Sequence, residues 1–370
     1  GIMDLDLKEE LASVTTPFQR IDIWDVVNPR FSSMASYHRS LQGGDSYEAT
    51  HPEYFKPDRI VFLDGIVQST RLGDAPYHEA LVQPAMFTHP NPKRAAIIGG
   101  GEGATLREIL KHDTIEQVVM VEIDEIMVDV SRKFLPSWNN CSDIIGSADW
   151  CGDDPRAILF YEDALAWFID RYNPQNEESK KGDYLHRFDV VVMDALDPED
   201  DVPFAEILYD NDTFMRALFN GLSDDGILVI QVGETSYNDD PPDAWTNKFS
   251  KRARFIDRVN EVGFESIHIY EEPRGGFDGG VWMFLIAFKS FETRARWYAS
   301  PFQIELEIHK RIRRTKSGDR ALRYFDGSTM KAYQHPPKAA ETLYCRQDPL
   351  PKSCILHNKI TKSKSFDLES

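Results

Sequence analysis

A chain of 370 residues with 41% hydrophobic and 28% charged residues has the composition of an ordinary globular protein and the length for more than one domain. Its net charge of −19, from 42 basic against 61 acidic residues, argues against a nucleic-acid surface and suits attraction of polycations, although an acidic surface kept for solubility gives the same sum. No apolar run reaches a membrane span, and no basic region followed by an apolar core marks a secretory leader. The four scattered cysteines, Cys141, Cys151, Cys345 and Cys354, lack metal-site or C-x-x-C spacing, so reduced thiols in the cytoplasm are expected.

Residues 1–90 read as a strand-rich lead-in domain. Residues 59–68 form a hairpin turning at Asp64-Gly65, and a polar, irregular insertion covers 32–56. From Lys93 strands and helices alternate. Strands are expected at 95–98, 118–121, 157–161, 188–193 and 227–230, with helices at 104–112, 125–134, 164–172 and 212–222 between them. A helix over 245–262 and closing strands at 267–270 and 281–288 complete the set. Five strand–helix units predict an α/β, Rossmann-like, doubly wound and mostly parallel sheet over residues 91–336. Residues 137–154 and 173–184 read as surface loops, and 337–370 as a C-terminal tail.

Gly99-Gly100-Gly101-Glu102-Gly103-Ala104 joins the first parallel strand to its helix and satisfies G-x-G-x-x-[GA]. Glu122 follows 19 residues after Gly103, the spacing at which a carboxylate meets a ribose diol, so the pattern alone permits NAD. Glu102 inside the loop would face a pyrophosphate with like charge, whereas a phosphate-free nucleoside bearing a sulfonium would be welcomed. This favours an S-adenosylmethionine-type ligand; the alternative for Glu102 is a loop acid facing solvent or the helix dipole. Asp163 can accept from an adenine amino group, with the Ala164 amide serving a ring nitrogen, and it can equally cap the helix that follows. Asp194 and Asp197 emerge three residues apart from the strand 188–193, where open α/β sheets bind ligands. Paired carboxylates there suit a cationic substrate or proton abstraction.

Taken together, these residues resemble the polyamine aminopropyltransferases, the spermidine, spermine and thermospermine synthases. The likeness runs from about Val61 to Gly233. It includes Leu63-Asp64-Gly65-Ile66-Val67-Gln68-Ser69-Thr70, Tyr77-His78-Glu79, His89-Pro90-Asn91-Pro92-Lys93, the glycine loop, Arg107-Glu108, Glu122-Ile123-Asp124-Glu125 and Asp194 to Pro198, with an echo at Tyr324-Phe325-Asp326. Glu102, the run from Tyr77 to Ala85 and Asp-x-x-Asp-Pro without a Ser-Ser pair lean toward the thermospermine synthases. The family's Tyr-Gln-Asp element is not evident near Ser46-Tyr47-Glu48, and the segment Glu199-Asp200-Asp201-Val202-Pro203 lacks the usual glycines.

The resemblance implies transfer of an aminopropyl group from decarboxylated S-adenosylmethionine to a polyamine, releasing 5′-methylthioadenosine and using no metal. Spermidine is the expected acceptor and thermospermine or spermine the product, with putrescine as the alternative acceptor. Asp194 is then the catalytic base; Tyr77, Asp197 and Glu234 hold the polyamine. Gln68, His78, Gly99, Gly101, Glu102, Gly103, Glu122, Asp163 and Ala164 hold the donor. Glu102 would take its ammonium and repel the carboxylate of intact S-adenosylmethionine. The family implies a homodimer or homotetramer, without nucleic-acid or membrane partners. Two rivals remain: a class I methyltransferase using intact S-adenosylmethionine, and a non-catalytic polyamine-binding homologue.

Overall fold

The computed structural model describes residues 7–27, 56–173, 186–198, 203–235, 250–273 and 280–335. Strands β1 (Leu7–Thr15), β2 (Arg20–Val26), β3 (Asp58–Leu63) and β4 (Ile66–Thr70) make an antiparallel sheet in that order. The β3–β4 hairpin turns where expected, with Asp64 and Gly65 both at positive φ, 51° and 82°. Its register slips between the pairs Val61–Ser69 and Phe62–Val67, which leaves Gln68 as the bulged residue of β4.

The second sheet contains β5 (Arg94–Gly99), β6 (Gln117–Val121), β7 (Ala157–Phe160), β8 (Phe188–Asp194), β9 (Leu222–Glu234), β10 (Ser266–Glu272) and β11 (Trp282–Phe288). Its order is β10-β11-β9-β8-β5-β6-β7. The five strands from β5 to β9 run parallel, and β11 and β10 close the sheet antiparallel. Winding proceeds outward from β5 to β7, then restarts at β8 on the other side. The neighbours β5 and β8 therefore form the switch point at which such sheets open a crevice. The expected doubly wound architecture is the one observed.

The inner parallel strands β5, β6 and β8 bury both faces, which is why they read as continuous apolar runs. Ala95 and Ile97 face one core layer, Ala96 and Ile98 the other. The first layer also holds the Asp74–Thr88 helix, buried along nearly its whole length, and the helices Phe291–Trp297, Pro301–Arg311 and Gly327–Tyr333. The Asp74–Thr88 helix, not expected within the strand-rich lead-in 1–90, thus packs on the second sheet shortly after β4.

Two expectations need correction. Cys141 and Cys151 form a disulfide with a 5.1 Å Cα–Cα separation, not free thiols; a sequence separation of 10 carries no pairing signature, and only the fold brings the two side chains together. The cytoplasmic placement loses the support it drew from reduced cysteines. The segment 137–154 is no mere surface loop either: Trp138, Asn139, Cys141, Ile144 and Cys151 are buried in it, and it packs over the glycine turn. Cys345, Cys354, the insertion 32–55, the segments 174–184 and 199–202 and the tail 337–370 lie outside the described residues. So does the first part of the expected helix 245–262, of which Ser250–Val262 is seen.

Candidate active site

The crevice is built from the carboxyl ends of β5 and β8. Gly99 and Asp194 pair in register there, and Gly100 N–H donates to the Asp194 carbonyl at 2.9 Å. Gly99 has φ +78°, and a Cβ on it would lie 2.4 Å from that carbonyl oxygen. Only glycine lets the two strand ends approach so closely. The turn then rises over Glu122, whose carboxylate oxygen would sit 3.1 Å from a Cβ at Gly101. Gly103 closes it as the N-cap of the Ala104–Leu110 helix with no side-chain cap, which leaves the first-turn amides open toward the crevice.

Asp194 ends β8, and both its carboxylate oxygens are engaged. Thr105 Oγ1 donates to Oδ2 at 2.5 Å, and Tyr77 OH donates to Oδ1 at 3.4 Å. His78 Nε2 lies 3.8 Å from Oδ2. Tyr77 and His78 come from the Asp74–Thr88 helix, their rings edge to face at 4.8 Å. The Tyr77 ring also meets Trp282 at 6.1 Å and Phe284 at 5.4 Å on β11, which gives the crevice an aromatic wall. Burial, then the charges of Asp194, Asp197 and Glu102, push the Tyr77 phenol far above its usual range, so it remains a hydrogen-bond donor.

Glu102 does not face open solvent. Burial pushes its carboxyl up to about 7; His78 opposes that shift, Asp194 and Asp74 add to it, and a hydrogen bond from Ser69 opposes it. His78 is raised to about 9: burial works against its charge, but Asp74, Asp194 and Glu102 outweigh it. Glu122 is likewise pushed up to about 7, chiefly by burial, while accepting from the Asp124 amide at 2.9 Å. Asp124 caps the Glu125–Phe134 helix through Met127 N–H, so Glu122 is spared that task. Asp163 caps the Ala164–Tyr172 helix through Leu165 N–H, using Oδ1 at 2.9 Å, which leaves its other oxygen for a ligand.

Asp197 lies three residues beyond Asp194 against the end of β9, where a Cβ at Gly233 would be 3.1 Å from its Oδ2. Gln231 braces this corner: it donates to Ala195 O at 2.7 Å and accepts from Trp282 Nε1 at 3.2 Å. Glu234 ends β9 and pairs in register with Trp282. Gln68, the bulged residue of β4, is half-buried beside Ser69, whose hydroxyl also accepts from Trp138 Nε1 at 2.8 Å. The structure therefore gathers Tyr77, His78, Glu102, Asp194 and the glycine turn around one point, with Asp197 and Glu234 along β8–β9 and Glu122 and Asp163 along β6–β7.

Thr105, Ser69 and Asp74 were not foreseen. Asp74 Oδ1 lies 2.9 Å from His78 Nδ1. Its spacing of four from His78 on a helix was the available clue. Among the described residues no cluster of three or more His, Cys, Asp or Glu could hold a metal ion, and no helix is long and apolar enough to cross a membrane.

Comparison with known proteins bears on this arrangement. A family profile described as the spermine/spermidine synthase domain matches residues 74–255. A polyamine aminopropyltransferase of Thermococcus onnurineus is 34% identical over 231 residues, 62% of this chain and 68% of that protein. Polyamine aminopropyltransferase 2 of Pseudomonas aeruginosa is 35% identical over 279 residues, 74% of this chain and 66% of that one. A crystal structure of spermidine synthase in complex with the transition-state analogue AdoDATO superposes with a TM-score of 0.63 at 24% identity, covering 92% of this chain and 89% of that chain; the likeness is one of fold. By identity and coverage, the chain belongs to the polyamine aminopropyltransferase family.

Proposed function

We propose that the chain transfers the aminopropyl group of decarboxylated S-adenosylmethionine to spermidine, giving thermospermine, or spermine, and 5′-methylthioadenosine. The observation that carries the reading is Asp194 at the switch point, its Oδ2 fixed by Thr105 and its Oδ1 facing the Tyr77 hydroxyl at 3.4 Å. A sulfonium is already a good leaving group. The chain's task is therefore to bring an unprotonated amine in line with the adjacent methylene. Asp194 takes the proton from the attacking nitrogen, the new N–C bond forms, and the electron pair of the breaking C–S bond stays on sulfur. Tyr77 and Asp197 hold the polyamine, with Glu234 assigned to a distal ammonium.

Glu102 holds the donor's ammonium and disfavours a donor that keeps its carboxylate, which sets the methyltransferase reading aside. Glu122 takes the ribose hydroxyls, and Asp163 with the Ala164 amide takes the adenine. Gln68 and His78 flank the thioether side, and Gly99, Gly101 and Gly103 give the nucleoside room against the backbone. We carry over an assembly of two or four chains, to be read by light scattering.

Incubation with decarboxylated donor plus spermidine or putrescine, with chromatographic separation of the products, tests the acceptor and which end is extended. Release of 5′-methylthioadenosine with putrescine alone would make the enzyme a spermidine synthase. Stabilisation and turnover with intact S-adenosylmethionine only would overturn the reading. Asp194→Asn lowers kcat by about 10²–10⁴-fold while donor binding persists; near-normal turnover would remove Asp194 as the base.

A further inference from the structure

Beneath the crevice lies a fully buried ionic network that the proposed reaction does not use directly. Asp74 is 3% exposed and receives two nitrogens of Arg107, at 3.0 and 3.2 Å. Arg107 also donates to Glu108 at 3.0 Å and to the carbonyls of Ser137 and Trp138 at 2.7 and 2.8 Å. Lys111 bridges Glu108 at 2.6 Å and Glu79 at 3.4 Å. Glu79 accepts the amides of Arg323, Tyr324 and Phe325, each at 2.8 Å. Three carboxylates (Asp74, Glu79, Glu108) thus share two permanent cations (Arg107, Lys111). A buried excess of one negative charge is costly unless a further cation joins.

His78 is the group in place to join. Its Nδ1 lies 2.8 Å from the carbonyl oxygen of Asp74, which can only accept, so Nδ1 carries a proton. The same nitrogen is 2.9 Å from Asp74 Oδ1. Nε2 points to the crevice, 3.8 Å from Asp194 Oδ2. A second proton there balances the network at three against three and turns an Nε2–H toward the base. The charged and titratable groups facing the ring are Asp74 on its own helix, Tyr77 edge-on, Asp194 from β8 and Glu102 from the glycine turn.

We propose that Asp74, clamped by Arg107, is a positioning residue that keeps His78 a cation, and that the cationic ring together with Thr105 holds Asp194 Oδ2 so that Oδ1 meets the acceptor amine. The inference rests on Asp194 as the base of the proposed reaction. The raised titration of His78, to about 9, agrees with the geometry. A neutral His78 would turn a lone pair toward a carboxylate, loosening the grip on Oδ2. Activity should then descend as His78 loses its proton.

The test is a pH titration of the full chain labelled with ¹⁵N-histidine, with the His78 signal identified by its loss in His78→Gln. The expected midpoint in the unsubstituted enzyme is about 9, and in Asp74→Asn it falls, because the two largest influences that raise it are lost while burial still opposes the charge; the tautomer stays protonated at Nδ1. The alkaline limb of kcat moves down by the same interval in Asp74→Asn, is absent in His78→Gln and stays in place in Asp74→Glu. A His78 midpoint near 6.5 in the unsubstituted enzyme would overturn the proposal, even if Asp74→Asn fails to fold. So would an Asp74→Asn enzyme whose midpoint and limb both stay where they were. Absence of aminopropyl transfer would defeat the proposed reaction and leave the histidine titration readable, so the two failures are distinguishable.

Discussion

Glu102 places a titrating carboxylate in the crevice at physiological pH. Its charge is half formed near pH 7 because burial holds its pKa at about 7. The folded chain binds a proton there that the unfolded chain has lost, so this group costs stability as pH rises from 4.5 through 7. A bound ammonium reverses that cost and expels the proton. Calorimetry of donor binding at pH 7 in buffers of different ionisation enthalpy should register release of about half a proton per donor, from Glu102 alone. Glu102→Gln should remove that share of the release and weaken the decarboxylated donor by about 10-fold or more, leaving 5′-methylthioadenosine, which has no ammonium, nearly unchanged. Unchanged donor affinity would remove Glu102 from the ammonium site. Glu102 and Asp194 were legible because strand-end acids beside glycines have few structural uses. Thr105, Ser69 and Asp74 were not, since a threonine in a first helical turn, a serine in a hairpin and an aspartate at a helix start are all ordinary there. Only the packing of β4, β8 and two helices makes them neighbours of the acids they serve.

At the level of elements, the alternation of apolar runs and helices was sufficient to foresee the parallel sheet, because the inner strands β5, β6 and β8 are buried on both faces and the helices after β5, β6 and β7 begin at Gly103, Asp124 and Asp163. The segment 137–154 defeated the same reading. Its polar composition hides Trp138 and Cys151, whose burial depends on the glycine turn and on β7 rather than on any local period. The Cys141–Cys151 bond ties this segment off, and Trp150 stacks beneath Arg132 with the guanidinium 4.2 Å from the ring centroid. Closing so short a loop contributes about 2–3 kcal/mol. The double variant Cys141→Ser, Cys151→Ser should therefore melt several degrees lower, and its Tm should no longer respond to reductant. Equal Tm values with and without reductant in the unsubstituted chain, together with two titratable thiols at these positions, would show that the bond does not form.

Across the whole molecule, the net charge of −19 sets the approach of a polycation. Steering by such a field acts on encounter and is screened within about 10 Å at 0.1 M salt. Raising salt from about 50 to about 300 mM should lower kcat/KM for the acceptor by about threefold or more and leave kcat nearly constant. A kcat/KM insensitive to salt would reduce the acidic surface to a matter of solubility. The contact between Glu79 and the turn at Arg323–Phe325 could not be read from the chain. Glu79 sits near the start of the described fold, and its three amide donors lie 244 to 246 positions downstream. During synthesis, that carboxylate and the helix bearing it leave the ribosome long before the turn that receives them. The catalytic layer cannot settle until almost the whole described chain has been made, so its last stitch is also the one that seals the floor beneath the reacting groups.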